Sequence, residues 1–437
     1  MSIVVVKRVT VNGCQVRALP RSIDFRNKNM TGVRCETNRG EVSLRLRDFD
    51  GVPLVPSLDP GAFSQTFVCG PVLERAEKVI SNVPAIRSRL FPMPSAKIDF
   101  ANLPFGLNAS DVMFVAQIKK GGEWRSVPIN SSLFPFQDLS LSPAAQVIHY
   151  GQTGFEGGKA YRSSKGRIVS FRLEENAKRH ARTSARIALT PIPADYYLEA
   201  IKATVLANKH LLAPPGLGAA LYLRPTHFGS GPQLGVAPAP VETFMVFVSP
   251  VGPYFKGGFT GKPMLVEENY RRSAPGLMGD VKVGGNYAGS LLPGTRAKAN
   301  DFAEVIYLDA MTGKNVEEVG AANAFFVVNG VLYTPKLTGT ILPGITRDSI
   351  ITLARDMGIK VVDDQPLPLK FALKADEAFC TGTAAVVTPV GSIAKGGKKT
   401  TFNNGEVGPL TQTLYETLVG IQEERIPDPY GWVYVIG

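Results

Sequence analysis

A turn-rich segment near the middle of the chain constrains the fold more than any other feature. Residues Pro250–Gly258 read PVGPYFKGG, and glycine and proline at this density interrupt both helices and strands. The chain has 437 residues, which is too long for one typical hydrophobic core. The segment is therefore interpreted as a linker between two domains.

The two sides of this linker differ in hydrophobic pattern. Before it, the sequence predicts a mixture of strands and helices, with strands at Arg167–Phe171, Ala219–Arg224 and Thr243–Ser249. Helices are predicted at Glu174–Leu189, which is rich in Ala and Arg, and at Ala194–Leu211, where apolar residues recur on one face. After it strands dominate, at Met264–Glu267, Val305–Leu308, Ala324–Val328, Val331–Tyr333 and Lys360–Val362, with one helix at Ser349–Met357. Asn329-Gly330 predicts a tight hairpin between two of these strands.

These patterns predict an α+β protein with a small α/β domain at residues 95–250, a linker at 251–262 and a larger strand-rich domain at 263–437. Residues 1–94 lack steady periodicity and are interpreted as an N-terminal extension, either a targeting segment or disordered. No apolar run reaches the roughly 18–20 residues of a membrane helix, so no membrane span is expected.

The net charge of +11 is concentrated at the N-terminus. Residues 1–47 carry ten basic side chains against three acidic ones, and the first acidic residue is Asp24. Transit peptides are basic and poor in acids, so a mitochondrial or plastid location is favoured over the cytoplasm. A solvated basic tail or an extra pair of strands explains the same composition equally well. Histidines and cysteines show no metal-ligand spacing, so no metal site is expected.

Four segments carry residues suited to chemistry. In GDVKVGGNY, Lys282 is flanked by glycines, which would leave open space around a reactive amine, and Tyr287 follows it. In VEEVGAANAFF, Glu317 and Glu318 point to opposite faces of a strand, so one can face inward while the other meets solvent. A buried glutamate needs a cationic partner, which a protonated pyridine nitrogen would provide.

The other two segments suit an anion. Leu-Pro-Gly at 342–344 makes a turn, and Thr346 or Asp348 is predicted to cap the helix that follows. The first turn of a helix offers free N–H groups to a phosphate. Thr381–Ala385 (TGTAA) could complete such a site with hydroxyl and N–H groups. Each segment alone also has an ordinary structural explanation.

In their order and wording these segments resemble the branched-chain amino-acid aminotransferases. The resemblance runs from about Ile98 to Trp432 and is densest in HYGQTGFEGGKAYR, LYLRPTHFGSGPQLGVAPAP, GDVKVGGNYAGSL, EEVGAANAFFVV, GTILPGITRDSI and AFCTGTAAVVTPVGSI. It implies a two-domain fold type IV enzyme dependent on pyridoxal 5′-phosphate (PLP), with the D-amino-acid aminotransferase-like fold and a large pseudo-barrel domain.

The resemblance also implies roles for individual residues. Lys282 would bind PLP covalently and move the substrate's α-proton, Tyr287 would contact the ring oxygen, and Glu318 would face the ring nitrogen. Arg179 would bind the phosphate bidentately, together with the N–H groups of Ile345 and Thr346 and with Thr383. The implied substrate-binding residues are Tyr150, Phe155, Tyr222, Arg224, Ala384 and Ala385.

The implied reaction is reversible ping-pong transfer of the amino group of L-leucine, L-isoleucine or L-valine to 2-oxoglutarate, by a homodimer whose sites are completed by the partner subunit. Departures from the family pattern leave the preferred side chain open. Gly158 replaces a branched residue and is expected to open the pocket wall, and Leu277-Met278 alters the loop before Lys282. A specialised transaminase for a related 2-oxo acid therefore stays an alternative. A basic nucleic-acid-binding protein is the alternative of another class.

Overall fold

The computed structural model divides the chain into two units, Met1–Phe91 and Pro92–Gly437. In the first unit it describes four strands, which form two antiparallel pairs: β1 (Arg8–Val11) with β2 (Cys14–Arg17), and β3 (Val33–Asn38) with β4 (Glu41–Leu46). In the second unit it describes residues 98–252, 254 and 258–437. Apart from these four strands, residues 1–94 lie outside the described residues, and so does the prediction that they form a targeting or disordered segment.

An antiparallel sheet of eight strands forms the first part of the second unit. Its strands are β5 (Val112–Lys119), β6 (Leu133–Pro135), β7 (Thr153–Phe155), β8 (Gly158–Arg162), β9 (Ile168–Phe171), β10 (Ala220–Gly229), β11 (Val241–Val251) and the C-terminal β22 (Val433–Val435). They lie in the order β22-β9-β8-β10-β11-β5-β6, with β7 on β10. The end of the chain thus returns to the first sheet.

Three helices accompany this sheet: α1 (Gln146–Tyr150), α2 (Leu173–Arg186) and α3 (Ala194–Ala207). Tyr197, Ile201 and Val205 lie four residues apart on α3 and are all buried, in one core with Phe114 and Phe244 of the sheet. Both predicted helices are confirmed, although each ends three or four residues before the predicted position, and a 3-10 turn follows α3.

The second sheet has ten strands and closes on itself. They are β12 (Lys262–Val266), β13 (Glu304–Leu308), β14 (Asn315–Val319), β15 (Ala322–Val328), β16 (Val331–Tyr333), β17 (Val361–Val362), β18 (Leu367–Pro368), β19 (Glu377–Gly382), β20 (Val386–Lys395) and β21 (Lys398–Thr401). The ring β15-β19-β20-β12-β13-β14 is closed by pairing of β14 with β15. The predicted α+β class and strand-rich pseudo-barrel are confirmed; the predicted domain boundaries stay a prediction.

The helices of this part are α4 (Gly284–Ala288), α5 (Leu291–Ala299), α6 (Ile345–Asp356), α7 (Leu369–Ala372) and α8 (Pro409–Gln422). Helix α6 begins four residues earlier than predicted, and Gly344 is its N-cap. The prediction that Thr346 or Asp348 caps the helix is therefore wrong, because both lie inside it. Gly344 is extended, and the Leu-Pro-Gly turn leads directly into the helix. A Cβ at Gly344 would lie 2.0 Å from Asn323 Oδ1, which leaves no room for a side chain at this position.

The hairpin between β15 and β16 has the predicted turn. Asn329 and Gly330 have φ angles of 49° and 74°, and two successive positive φ angles are typical of a type I′ turn. The turn pairs Val328 with Val331. Within the described residues, none of the helices combines the length and the apolar character that a membrane span requires.

Candidate active site

A cavity of about 470 Å³ is lined by residues of both sheets and of the loops between them. Its lining includes every residue of the predicted site except Tyr150: Phe155, Arg179, Tyr222, Arg224, Lys282, Tyr287, Glu318, Ile345, Thr346, Thr383, Ala384 and Ala385. These residues are up to 230 positions apart in sequence, as Phe155 and Ala385 illustrate. The fold therefore brings together side chains that the sequence presents in separate segments.

Lys282 lies in the loop that precedes α4, and its backbone and side chain are both held. Its N–H donates to Thr183 Oγ1 at 3.1 Å, and its carbonyl oxygen accepts the N–H of Phe155 at 3.0 Å. Its Nζ donates to the hydroxyl of Tyr287 at 2.7 Å and lies 4.6 Å from the centre of the Phe155 ring. The amine is thus fixed at the cavity wall with a phenol as its immediate neighbour.

The glycines around Lys282 permit close packing and not the open space that the sequence suggested. A Cβ at Gly279 would lie 2.2 Å from the carbonyl oxygen of Thr340, and one at Gly284 would lie 2.7 Å from Thr153 Cγ2. Gly285 alone of these three has no heavy atom within 4 Å of such a Cβ. Gly279 therefore allows the lysine loop to approach the segment that leads to α6.

Both glutamates of β14 are buried, so the expectation that one of them meets solvent is wrong. Glu317 accepts a hydrogen bond from the hydroxyl of Thr340, and Glu318 lies at an ion-pair distance of 2.5 Å from Arg272 Nη1. Burial raises the pKa of Glu318 to about 7, and the positive charge of Arg272 opposes this rise. Burial also raises the pKa of Glu317. Of the two, Glu318 lines the cavity.

The start of α6 faces the same cavity. Ile345 and Thr346 lie in its first turn, where backbone N–H groups have no partner inside a helix. No side chain caps this end, and the positive end of the helix dipole adds to its attraction for an anion. The region therefore offers two donors that suit a phosphate group.

Arg179 lies beside this helix start, but the N–H groups of its guanidinium already have acceptors within the protein. Its Nε and Nη2 donate to the two oxygens of Glu156 at 2.7 and 2.8 Å, and Nη1 donates to the carbonyl oxygen of Pro343 at 3.1 Å. Burial alone would raise the pKa of Glu156, but the charge and hydrogen bonds of Arg179, together with Lys282 and Asn176, outweigh burial and lower that pKa. The resemblance implied that Arg179 binds the phosphate bidentately, and this would require Arg179 to give up some of these contacts.

Tyr222 and Arg224 share one face of β10, as predicted. Arg224 Nη2 donates to the Tyr222 hydroxyl at 3.3 Å, and the Arg224 guanidinium lies 5.0 Å from the ring centre of Phe155. A Cβ at Gly157 would lie 2.2 Å from the Tyr222 hydroxyl oxygen, so only glycine fits beneath it. This end of the cavity thus combines a cation and a hydroxyl with an aromatic wall.

The turn after β19 carries Thr383, Ala384 and Ala385. The carbonyl oxygen of Ala384 accepts a hydrogen bond from Lys159 Nζ at 3.1 Å, and that of Ala385 accepts one from Thr388 Oγ1 at 3.1 Å. Burial lowers the pKa of Lys159 to about 8. The turn is held from two sides, and all three of its residues line the cavity.

Two sequence-based expectations about the pocket differ from the structure. Tyr150 is 46% exposed and donates its hydroxyl to the carbonyl oxygen of Leu234, away from the cavity of its own chain. Gly158 does not open the wall of this cavity, because a Cβ there would lie 3.2 Å from Leu223 and 3.6 Å from Leu173, both core residues.

Several residues of the site were missed at the sequence level. Phe105 and Tyr254 line the cavity and pack edge to face at 5.0 Å, and Glu304 lines it as well. Arg272 contacts Glu318, and Lys159 contacts the turn at Ala384. No spacing pattern in the sequence marks these residues. The one signal that could have found any of them is a charged residue on a strand that otherwise looks buried, as at Lys159. Among the described residues, His, Cys, Asp and Glu form no cluster suited to a metal ion.

Residues 154–393 match the model of the family described as amino-transferase class IV. This range contains Arg179, Lys282 and Glu318 and ends within β20. Branched-chain amino acid aminotransferase 2, chloroplastic, of Humulus lupulus is 44% identical over 77% of this chain and 81% of its own length. Branched-chain-amino-acid aminotransferase 5, chloroplastic, of Arabidopsis thaliana is 39% identical over 92% of this chain and 95% of its own.

Two further similarities are to a second named aminotransferase and to an enzyme of solved structure. The methionine aminotransferase BCAT4 of Arabidopsis thaliana is 42% identical over 78% of this chain and 94% of its own length. The T.th. branched-chain amino acid aminotransferase in complex with N-(5′-phosphopyridoxyl)-L-glutamate has a TM-score of 0.62 and 29% identity, over 75% of this chain and 99% of that one. The same enzyme in complex with 4-methylvaleric acid has a TM-score of 0.61.

Proposed function

We propose that this chain, which belongs to the class IV aminotransferase family, is a PLP-dependent branched-chain-amino-acid transaminase. The reaction is reversible amino transfer between L-leucine, L-isoleucine or L-valine and 2-oxoglutarate by a ping-pong mechanism. The observation that carries the proposal is one cavity lined by the amine of Lys282, the buried acid Glu318 and the uncapped start of α6.

The donors and acceptors of the cavity fit PLP. Burial raises the pKa of Glu318 to about 7 although Arg272 lies beside it, and a protonated ring nitrogen would add a second positive charge next to this carboxyl. The first-turn N–H groups of α6 and the hydroxyl of Thr383 suit a phosphate. The T.th. enzyme, whose complex contains a phosphopyridoxyl group, is 29% identical to this chain. When bound, PLP supplies a ring that withdraws the electrons left when the α-proton is removed.

The protein's own residues then divide the remaining tasks. Lys282 holds the cofactor through its amine and moves the α-proton, and Tyr287, whose hydroxyl lies 2.7 Å from that amine, orients it. Glu318 holds the ring nitrogen in its protonated form. Ile345, Thr346 and Thr383 bind the phosphate, with Arg179 adding positive charge behind them.

The substrate's two ends require different surroundings. The N–H groups of Ala384 and Ala385 bind the α-carboxylate. Tyr222 and Arg224 bind the second carboxylate of glutamate or 2-oxoglutarate, because a cation beside a hydroxyl suits that group. The rings of Phe155 and Phe105 contact a branched aliphatic side chain.

Replacing the lysine tests this proposal. Protein incubated with PLP is expected to show the visible absorption band of lysine-bound cofactor and to transfer amino groups, and Lys282→Ala is expected to lose both. Lys298→Ala, which changes an exposed lysine on α5, is the matched control. A Lys282→Ala variant that keeps the band and full turnover would show that another residue binds the cofactor.

A methionine-type transaminase is the second candidate. The similarity to methionine aminotransferase BCAT4 favours it, and the aromatic edges of Phe105, Tyr222 and Tyr254 suit a thioether sulfur. Values of kcat/KM for leucine, isoleucine, valine and methionine with 2-oxoglutarate separate the two. A preference for methionine of more than about tenfold, or 1.4 kcal/mol, would favour the second candidate.

We also propose that the enzyme is a homodimer. Helix α1 and the loop that contains Leu234 present four exposed apolar side chains, Ile148, Tyr150, Leu234 and Val236. A second copy that covers this surface would explain why Tyr150 lies outside the cavity of its own chain. Sedimentation is expected to give a dimer that Leu234→Asp with Val236→Asp dissociates, whereas Leu277→Asp, at another exposed leucine, does not.

The proposed location is an organelle. The basic, acid-poor residues 1–47 support import, and the similar proteins of Humulus lupulus and Arabidopsis thaliana are named chloroplastic. In plant cells, the full chain fused to a fluorescent protein is expected in plastids or mitochondria, and residues 95–437 in the cytosol. Identical distributions of the two fusions would contradict the proposal.

A further inference from the structure

Arg272 is a buried cation that has no role in the function proposed above. Its side chain is 5% exposed, and it lies between β12 and the loop that carries Lys282. Its Nη1 lies 2.5 Å from Glu318 Oε2. This contact is an ion pair and not a hydrogen bond, because the N–H groups of Nη1 point to other acceptors. Burying a guanidinium at this depth is unfavourable unless its charge and its hydrogens are matched.

The same nitrogen also joins two other segments of the site. It donates to the carbonyl oxygen of Gly279, three residues before Lys282, at 3.3 Å, and to that of Thr340 at 3.1 Å. Gly279 and Thr340 pack so closely that no Cβ fits between them. Arg272 therefore contacts the acid, the lysine loop and the segment that leads to α6.

The surroundings of Glu318 show what this contact supplies. Asn323 donates to its Oε1 at 3.4 Å, and Glu317 is a second acid on the same strand. The charge of Arg272 is the largest of the influences that lower the pKa of Glu318, ahead of a backbone hydrogen bond from Leu342 and the charge of Lys282. Without Arg272, a buried carboxyl next to a second acid would take up a proton.

We propose that Arg272 is a positioning residue for catalysis, which keeps Glu318 ionised and aligned for the cofactor's ring nitrogen. This inference rests on the proposed PLP-dependent function. A protonated Glu318 could not balance a positive ring nitrogen, so the ring would withdraw electrons less strongly and proton removal would slow.

Replacing the charge while keeping a donor tests this role. Arg272→Gln is expected to lower kcat about 100-fold with KM changed by less than about threefold, because the interaction acts on the transition state. The dissociation constant of PLP, measured by fluorescence titration of the apoprotein, is expected to rise roughly tenfold. Arg271→Gln is the control: Arg271 is adjacent and exposed, and its Nη1 contacts the carbonyl oxygens of Glu268 and Tyr270.

A double-mutant cycle separates this role from a general effect on folding. If Arg272 acts through Glu318, then Arg272→Gln is expected to lower kcat by less than about threefold in a Glu318→Gln background, because the group it serves is gone. Two losses that multiply fully would overturn the proposal. Arg272→Lys, which restores the charge, is expected to recover at least about a tenth of wild-type kcat, and a loss as deep as that of Arg272→Gln would also overturn it.

The outcomes distinguish this inference from the function on which it rests. If the wild-type protein neither binds PLP through Lys282 nor transfers amino groups, the proposed function fails. If the wild type does both and Arg272→Gln behaves like Arg271→Gln in kcat and in PLP affinity, only the role of Arg272 fails.

Discussion

Replacing Glu318 by glutamine is expected to stabilise the cofactor-free protein at high pH while it lowers kcat. Burial raises the pKa of Glu318 from 4.5 to about 7, and the side chain is 2% exposed. A glutamate whose pKa is higher in the folded than in the unfolded state stabilises the folded protein most at pH values below its pKa in the unfolded state. That contribution is lost as the pH rises through its pKa in the folded state.

The magnitude follows from the shift. One pKa unit corresponds to about 1.4 kcal/mol, so a rise from 4.5 to about 7 corresponds to roughly 3 kcal/mol of stability lost between these pH values. Glutamine does not titrate and resembles the protonated carboxyl. The variant and the wild type should therefore unfold with similar free energies near pH 4.5, and the variant should be more stable by roughly 3 kcal/mol at pH 8.

Urea-induced unfolding of both apoproteins, at one protein concentration and over a pH series, measures this difference. Titrations of the groups that the two proteins share cancel when the two free energies are subtracted. Glu268→Gln, at an exposed carboxylate, is the control, and its difference from the wild type should not change with pH. A Glu318→Gln difference that is equally flat would refute the reasoning that the site buries an incompletely balanced charge.

Three further predictions concern single contacts. Gly157→Ala is expected to displace the Tyr222 hydroxyl, which lies 2.2 Å from the added Cβ, and to raise KM for 2-oxoglutarate roughly tenfold in steady-state kinetics; an unchanged KM would contradict the role of Tyr222. Glu377→Ala removes the carboxylate that accepts the N–H groups of Leu410 and Thr411 at the start of α8. It should cost about 1–2 kcal/mol in urea unfolding without changing kcat/KM, and an unaltered free energy of unfolding would count against this capping role. Gly330→Ala, at a φ of 74° with free space around it, should cost about 1 kcal/mol in the same assay, and no cost would mean that the turn relaxes.

The sequence by itself determined the features that depend on neighbouring residues. Asn329-Gly330 made its turn because these two residues tolerate positive φ angles, and helix α3 formed because its apolar residues recur on one face. The separate segments around Lys282, Glu318 and α6 were also recognisable, because each is a short run with its own composition and because their order along the chain resembles one family.

Only the tertiary structure decided which charged group meets which. It paired Arg179 with Glu156, buried Glu317 as well as Glu318, and brought Arg272 against Glu318, although these partners are between 23 and 46 positions apart. It also made Gly279 a point of close contact with Thr340 and placed Tyr150 outside the cavity. The physical reason is that a charge or a glycine can serve many neighbours, and the packing of distant strands and loops selects one of them.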